Sequence, residues 1–217
     1  MRRLLNFILC FVILIASSCR IVTPRIASVN TAFDSIVIEI QPTTRFYPRS
    51  NDVDGLVHHL ANLSICKKEN IIVIVKDRLN ISRSEWSREQ VVQFEKDNRI
   101  IANSSKRRIS IFISYLPGTY SEDGLLTILG LQYGYKNSIA MFKTRTWEDK
   151  AGVLLHEILH VIGLVSRDNR HAPPVRTDRP NHCNNEKCIM YFGLGYYEIW
   201  LCPNCISEIR RFITNNE

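Results

Sequence analysis

An α+β layer domain is the fold the sequence predicts, on three observations. Short β-branched or continuous apolar runs alternate with stretches of helical spacing, and the longest helical stretch follows them. The 217 residues are 45% hydrophobic and 23% charged, the composition of one compact domain with a real core. That composition excludes long-range disorder, collagen-like repeats and low complexity, and no internal period points to a solenoid or propeller. Beyond the N-terminal segment no apolar run approaches the roughly 18 residues of a spanning helix, which excludes a multi-span membrane protein.

Taken in order, Ser35–Ile40 (SIVIEI) is a β-branched run that reads as a strand ended by Pro42. Asp52–Ile65 carries Val53, Leu56, Val57, Leu60 and Leu63 at spacings of three and four, an amphipathic helix with an acidic first turn. Ile71–Val75 (IIVIV) reads as a strand buried on both faces. Ser84–Arg99 predicts a second helix, capped by Ser84, with Trp86, Val91 and Phe94 facing inward. Arg108–Leu116 is a third strand, closed by Pro117 and Gly118. Leu129–Phe142 reads as two short strands about a Gly-Tyr-Lys-Asn turn, and Trp147–Val165 is the longest helix. After Val165 the texture turns to Pro, Arg, Asn and Cys, which predicts an irregular tail.

Residues 1–19, MRRLLNFILCFVILIASSC, have the layout of an export signal: Arg2 and Arg3, the apolar run Leu4–Ile15, then Ala16, Ser17 and Ser18 before Cys19. Small residues ahead of a cysteine also resemble a bacterial lipobox, with Cys19 the lipidated first residue of the mature chain. The expected organisation is therefore a signal peptide over 1–18, a tether over 19–34, and one domain over 35–217, split into 35–165 and a Cys-rich part at 166–217. The domain is expected outside the cytoplasm, in the cell envelope, anchored to the membrane. Net charge is +7, of which Arg2 and Arg3 contribute two, leaving +5. The basic residues are scattered rather than stacked on one face, so no nucleic-acid partner is expected.

The chemistry is concentrated in His156-Glu157-Ile158-Leu159-His160, the HExxH pattern on the last helix. Residues i and i+4 lie one above the other, so two imidazoles can reach one ion while Glu157 faces the ion's open side as a proton acceptor. The other reading is a pair of core histidines bonded to carbonyls. Gly163, three residues after His160, is unfavourable in a helix unless the chain turns there to bring a third ligand. Downstream donors are Asp168, His171, Asp178 and His182.

HEILHVIG resembles the metzincin signature over its first eight positions; where a third histidine would follow, this chain has Ser166. His182-Cys183-x4-Cys188-Ile189-Met190, followed by Cys202-Pro203-Asn204-Cys205, resembles the archaemetzincins. The third histidine is displaced by an insertion, Leu164–Asn181, with Pro173, Pro174 and Pro180, and the interval from Met190 to Cys202 is shorter than the family's. The resemblance covers the C-terminal quarter well, and it implies a metzincin-like mixed twisted sheet with an active-site helix. It further implies catalytic zinc on His156, His160 and His182, with His171 the rival third ligand. Glu157 is then general base and acid toward a zinc-bound water, and Met190 sits in a Met-turn beneath the histidines or is simple core filler.

Cys183, Cys188, Cys202 and Cys205 form two close pairs about fourteen residues apart, the spacing of a structural zinc site. Disulfides are the alternative in an oxidising compartment. Cys66 reads as a buried small hydrophobe, and Cys10 lies inside the leader.

The expected function is a zinc metalloendopeptidase acting on a peptide or protein substrate, held by a lipid anchor on Cys19. The second class is a binding or assembly lipoprotein that kept the fold and metal without peptidase action. A substrate strand is expected to add along Asn137–Phe142, if that segment is an edge rather than an internal strand. Tyr191, Tyr196 and Tyr197 are expected to wall the cleft.

Overall fold

The computed structural model describes residues 31–101, 105, 107–120, 130–132, 137–143, 150–163, 182–191 and 199–215. The leader with Cys10 and Cys19, the Leu164–Asn181 insertion with Ser166, Asp168, His171 and Asp178, and Tyr196 and Tyr197 lie outside them.

A five-stranded sheet organises the domain. Its strands are β1 (Ser35–Gln41), β2 (Ile71–Val75), β4 (Arg108–Leu116), β6 (Gly130–Gln132) and β7 (Ser138–Phe142), in the order β2-β1-β4-β7-β6. The first four run parallel and β6 pairs antiparallel to β7. A two-stranded ribbon of β3 (Glu85–Trp86) and β5 (Thr119–Tyr120) lies apart from it. Helices α1 (Ser50–Asn62), α2 (Arg88–Asn98), α3 (Lys150–Val161) and α4 (Pro203–Asn215), with a short 3-10 turn at Lys68–Asn70, complete the described elements.

Period-two alternation sends Ile36, Ile38 and Ile40 of β1, Ile109, Ile111, Ile113 and Tyr115 of β4, and Ile139 and Met141 of β7 into one core with α1, α3 and α4. Each such isoleucine contributes about 1.5–3 kcal/mol on burial. The opposite face carries a smaller core of Trp86, Val91, Phe94, Leu116, Ala140 and Phe142 beneath α2. On that side the buried Glu39 accepts the N–H groups of Ile100 and Ile101 and pairs with Lys76 at 3.1 Å.

Helix α1 ends in a Schellman arrangement. Ser64 takes φ 57°, the Ile65 N–H reaches the Leu60 carbonyl, and the Ser64 N–H reaches that of Ala61.

Four expectations change. The strand Ile71–Val75 is not buried on both faces: β2 is the end strand, with Ile72 50%, Ile74 39% and Val75 52% exposed. A run of five apolar residues looks the same inside a sheet and at its edge. The second helix starts at Arg88 rather than Ser84. Ser87 is its cap, with Gln90 returning a bond to the Ser87 N–H at 3.0 Å, while Trp86 reaches the core from β3. The tail is not irregular throughout, because α4 buries Ile209 and Ile213. Finally, Ala32 and Phe33, read as tether, are buried, and the Phe33 ring lies 5.8 Å from that of Phe212 in a tilted pair.

Among the described residues no helix is long and apolar enough to cross a membrane.

Candidate metal centre

Helix α3 is apolar on nearly every side: Val153, Leu154, Leu155, Ile158 and Leu159 are all buried. It therefore sits inside the domain and places His156 and His160 one turn apart in a water-poor setting. The helix stops where Gly163 takes φ 88°, a left-handed turn closed by its N–H on the His160 carbonyl at 2.9 Å.

His182 returns to the same place. Its ring lies 5.3 Å from that of His156 and 4.9 Å from that of His160, and the Nε2 atoms of His156 and His160 are 3.0 Å apart. One ligand atom from each of the three histidines lies within 4.8 Å of the others. Ligands at a zinc–nitrogen length of about 2.0–2.1 Å stand about 3.3 Å apart in a tetrahedron, so the set fits one such ion with a corner left open. His156 Nδ1 donates to the Ile189 carbonyl at 2.5 Å, which leaves its Nε2 lone pair for metal. Burial holds His156 down to about 4 and His160 well below the ordinary imidazole value, so both are in the neutral, ligating form.

Glu157 is buried, 8% exposed, beside this triad. Burial pushes its carboxyl up to about 8, opposed by the Gln132 backbone N–H that donates to it. A cation at the triad would favour the carboxylate. Gln132 lies on β6, so β6, pairing among the described strands with β7 alone, is the strand against Glu157. Asn137–Phe142 is therefore internal, since β7 pairs with β4 on one side and β6 on the other. Neither the role of β6 nor its contact with Glu157 has a signal in the sequence beyond the hairpin itself.

The four cysteines also converge. Cys183, Cys188, Cys202 and Cys205 are buried, with their sulfurs within 4.8 Å of one another. The separations Cys183–Cys202 and Cys188–Cys205 are 3.6 Å, against about 2.05 Å for a disulfide. Four thiolates at a zinc–sulfur length of about 2.3 Å stand about 3.8 Å apart, so the spacing fits a closed tetrahedral site. Backbone N–H groups of Asn185, Cys202 and Cys205 point at the Cys183, Cys188 and Cys202 sulfurs, the donors that steady thiolates. Within the cluster, hydrogen bonding with Cys188 holds the Cys183 thiol down to about 6 and hydrogen bonding with Cys183 lowers Cys202, while the same contacts raise Cys188 and Cys205.

The two clusters share a frame. His182 precedes Cys183; Cys188 precedes Ile189, whose carbonyl holds His156; and the Cys183 N–H binds the Met190 carbonyl at 2.7 Å. Met190 is fully buried, and Tyr191 bridges to Cys183. Cys66 is buried in the main core, apart from both clusters, its thiol raised to about 11 by burial.

No protein-family model and no curated protein sequence matches the chain. Solved structures do. An archaemetzincin from Methanopyrus kandleri superposes with a TM-score of 0.55 at 14% identity, covering 86% of this chain and 99% of its own. A zinc-dependent peptidase from Methanocorpusculum labreanum gives 0.47 at 14% identity over 81% and 100% of the two chains. An archaemetzincin from Archaeoglobus fulgidus, complexed with malonate, gives 0.37 at 15% over 80% and 99%. The first superposition fixes the architecture. The chain is archaemetzincin-like in fold and divergent in sequence.

Proposed function

We propose that the protein is a zinc-dependent metalloendopeptidase. The observation that carries this reading is the convergence of His156, His160 and His182 on one point with Glu157 buried beside them. His156, His160 and His182 would hold a catalytic zinc, and Cys183, Cys188, Cys202 and Cys205 a structural one. A zinc ion held by the three histidines would supply Lewis acidity for peptide hydrolysis. Glu157 is placed to take the proton of an attacking water and return it to the leaving amine. Ile189 keeps His156 in the ligating tautomer, and Met190 forms an apolar floor to the site. A peptide substrate would add as a further strand along β6, which brings its backbone past Glu157.

The leader supports an exported protein anchored through lipid on Cys19. Labelling with a fatty-acid probe, lost in Cys19→Ala, tests the anchor; equal labelling of both forms rules it out.

The test of function is paired. Purified protein should contain close to two zinc ions per chain and cleave a peptide library. Glu157→Gln should keep both ions and lose turnover. Two ions in the wild type with no cleavage would point instead to a non-catalytic binding protein.

A further inference from the structure

We infer that Gly130 is a positioning residue for Glu157: the place a side chain would occupy on β6 is filled by the Glu157 arm. A Cβ at position 130 would stand 2.7 Å from Glu157 Cγ, 3.0 Å from Oε1 and 3.1 Å from Cδ. The first contact is closer than carbon atoms approach, and it falls on the middle of the arm rather than its free end. Glu157 cannot yield outward, since it is buried. The backbone does not itself demand glycine, because Gly130 is not among the described residues with positive φ. Two residues on, the Gln132 N–H donates to the same carboxylate, and β6 is pinned in register by Gly130 opposite Met141 and Gln132 opposite Ile139. A side chain at 130 therefore either lifts β6 from α3 or swings the carboxylate away from the histidines. Where activity is the readout, this inference rests on the peptidase reading; the contact itself does not.

The test uses the zinc-loaded full chain in four forms: wild type, Gly130→Ala, Glu157→Ala and the double variant. Gly130→Ala should lower Tm by about 2–12 °C in the wild-type background and by almost nothing in Glu157→Ala, where Cγ is gone. Its zinc content should be unchanged, and kcat should fall tenfold or more with KM held, because a misplaced base costs turnover. Equal Tm losses in both backgrounds, or none in either, would overturn the inference, as would a KM change at constant kcat. Thermal coupling in a protein without peptidase activity would uphold the positioning and sink the proposed function alone.

Discussion

If the two clusters hold zinc as proposed, replacing Cys205 by alanine should disturb both, although Cys205 belongs only to the cysteine cluster. Its sulfur lies 3.6 Å from that of Cys188, on the first turn of α4, and it is fully buried. Cys188 adjoins Ile189, the acceptor for His156, and the quartet's other end, Cys183, adjoins His182. Structural zinc sites contribute apparent binding energies of about 10–16 kcal/mol, comparable with the whole stability of a domain. With one ligand of four removed, the Cys site should empty under mild chelation and residues 182–191 should lose their anchor. Outer-shell losses at a zinc site cost about 10–100-fold in affinity, or roughly 1.4–2.7 kcal/mol, and here a ligand is loosened as well. The assay is zinc stoichiometry, followed by competition against a chelator of graded strength, with far-UV circular dichroism to confirm that the sheet persists. Wild type should hold two ions; Cys205→Ala should hold none tightly and lose the histidine-bound ion at least tenfold more readily. A folded Cys205→Ala that keeps one zinc at wild-type affinity would refute the coupling.

Stability should depend on pH through His59, which is 2% exposed and held down to about 4 by burial and then by His58. A depressed folded value means that the unfolded chain binds the proton first, so stability present above pH 6.5 is lost as pH falls toward 4, by up to about 3 kcal/mol. The gap in unfolding free energy between wild type and His59→Gln should narrow or reverse over that interval; a constant gap would show that His59 is not the titrating group. On the sheet, Ile74→Lys at the exposed end strand should change stability by less than about 0.5 kcal/mol and improve solubility, whereas Ile38→Ala on the adjacent β1 should cost about 2–5 kcal/mol. Denaturant titration of the two variants checks both, and comparable costs would contradict the assignment of β2 to the edge.

Much of the fold was legible because periodicity survives in the sequence: α1, β1, β4, the β6–β7 hairpin and α3 lie where apolar spacing puts them. What failed did so for identifiable reasons. Apolar content alone could not tell that β2 has a neighbour on one side only. The expected cap at Ser84 fails because Ser87-Arg88-Glu89-Gln90 is the stronger pattern, a serine followed three residues later by glutamine. The last helix begins among cysteines that mask its pattern, yet Pro203 at its first position and Ile206, Ile209 and Ile213 at helical spacing announce it.

At the site, the i, i+4 histidines and the cysteine spacing are local patterns and could be read directly. The choice of His182 came only through resemblance, because a ligand returned by a loop has no periodicity. The contact of Gly130 and Gln132 with Glu157 is tertiary, joining residues from separate elements, and no local rule reports it.

X-ray absorption at the zinc edge, combined with anomalous diffraction from crystals of the purified protein, is the most direct test of the proposed metal centre. The expected result is one zinc bound by His156, His160 and His182 with nitrogen ligands at about 2.0–2.1 Å, and a second bound by four sulfurs at about 2.3 Å. Zinc bound at His156 and His160 with His182 turned away, or no metal between those two imidazoles in zinc-replete protein, would contradict the three-histidine centre.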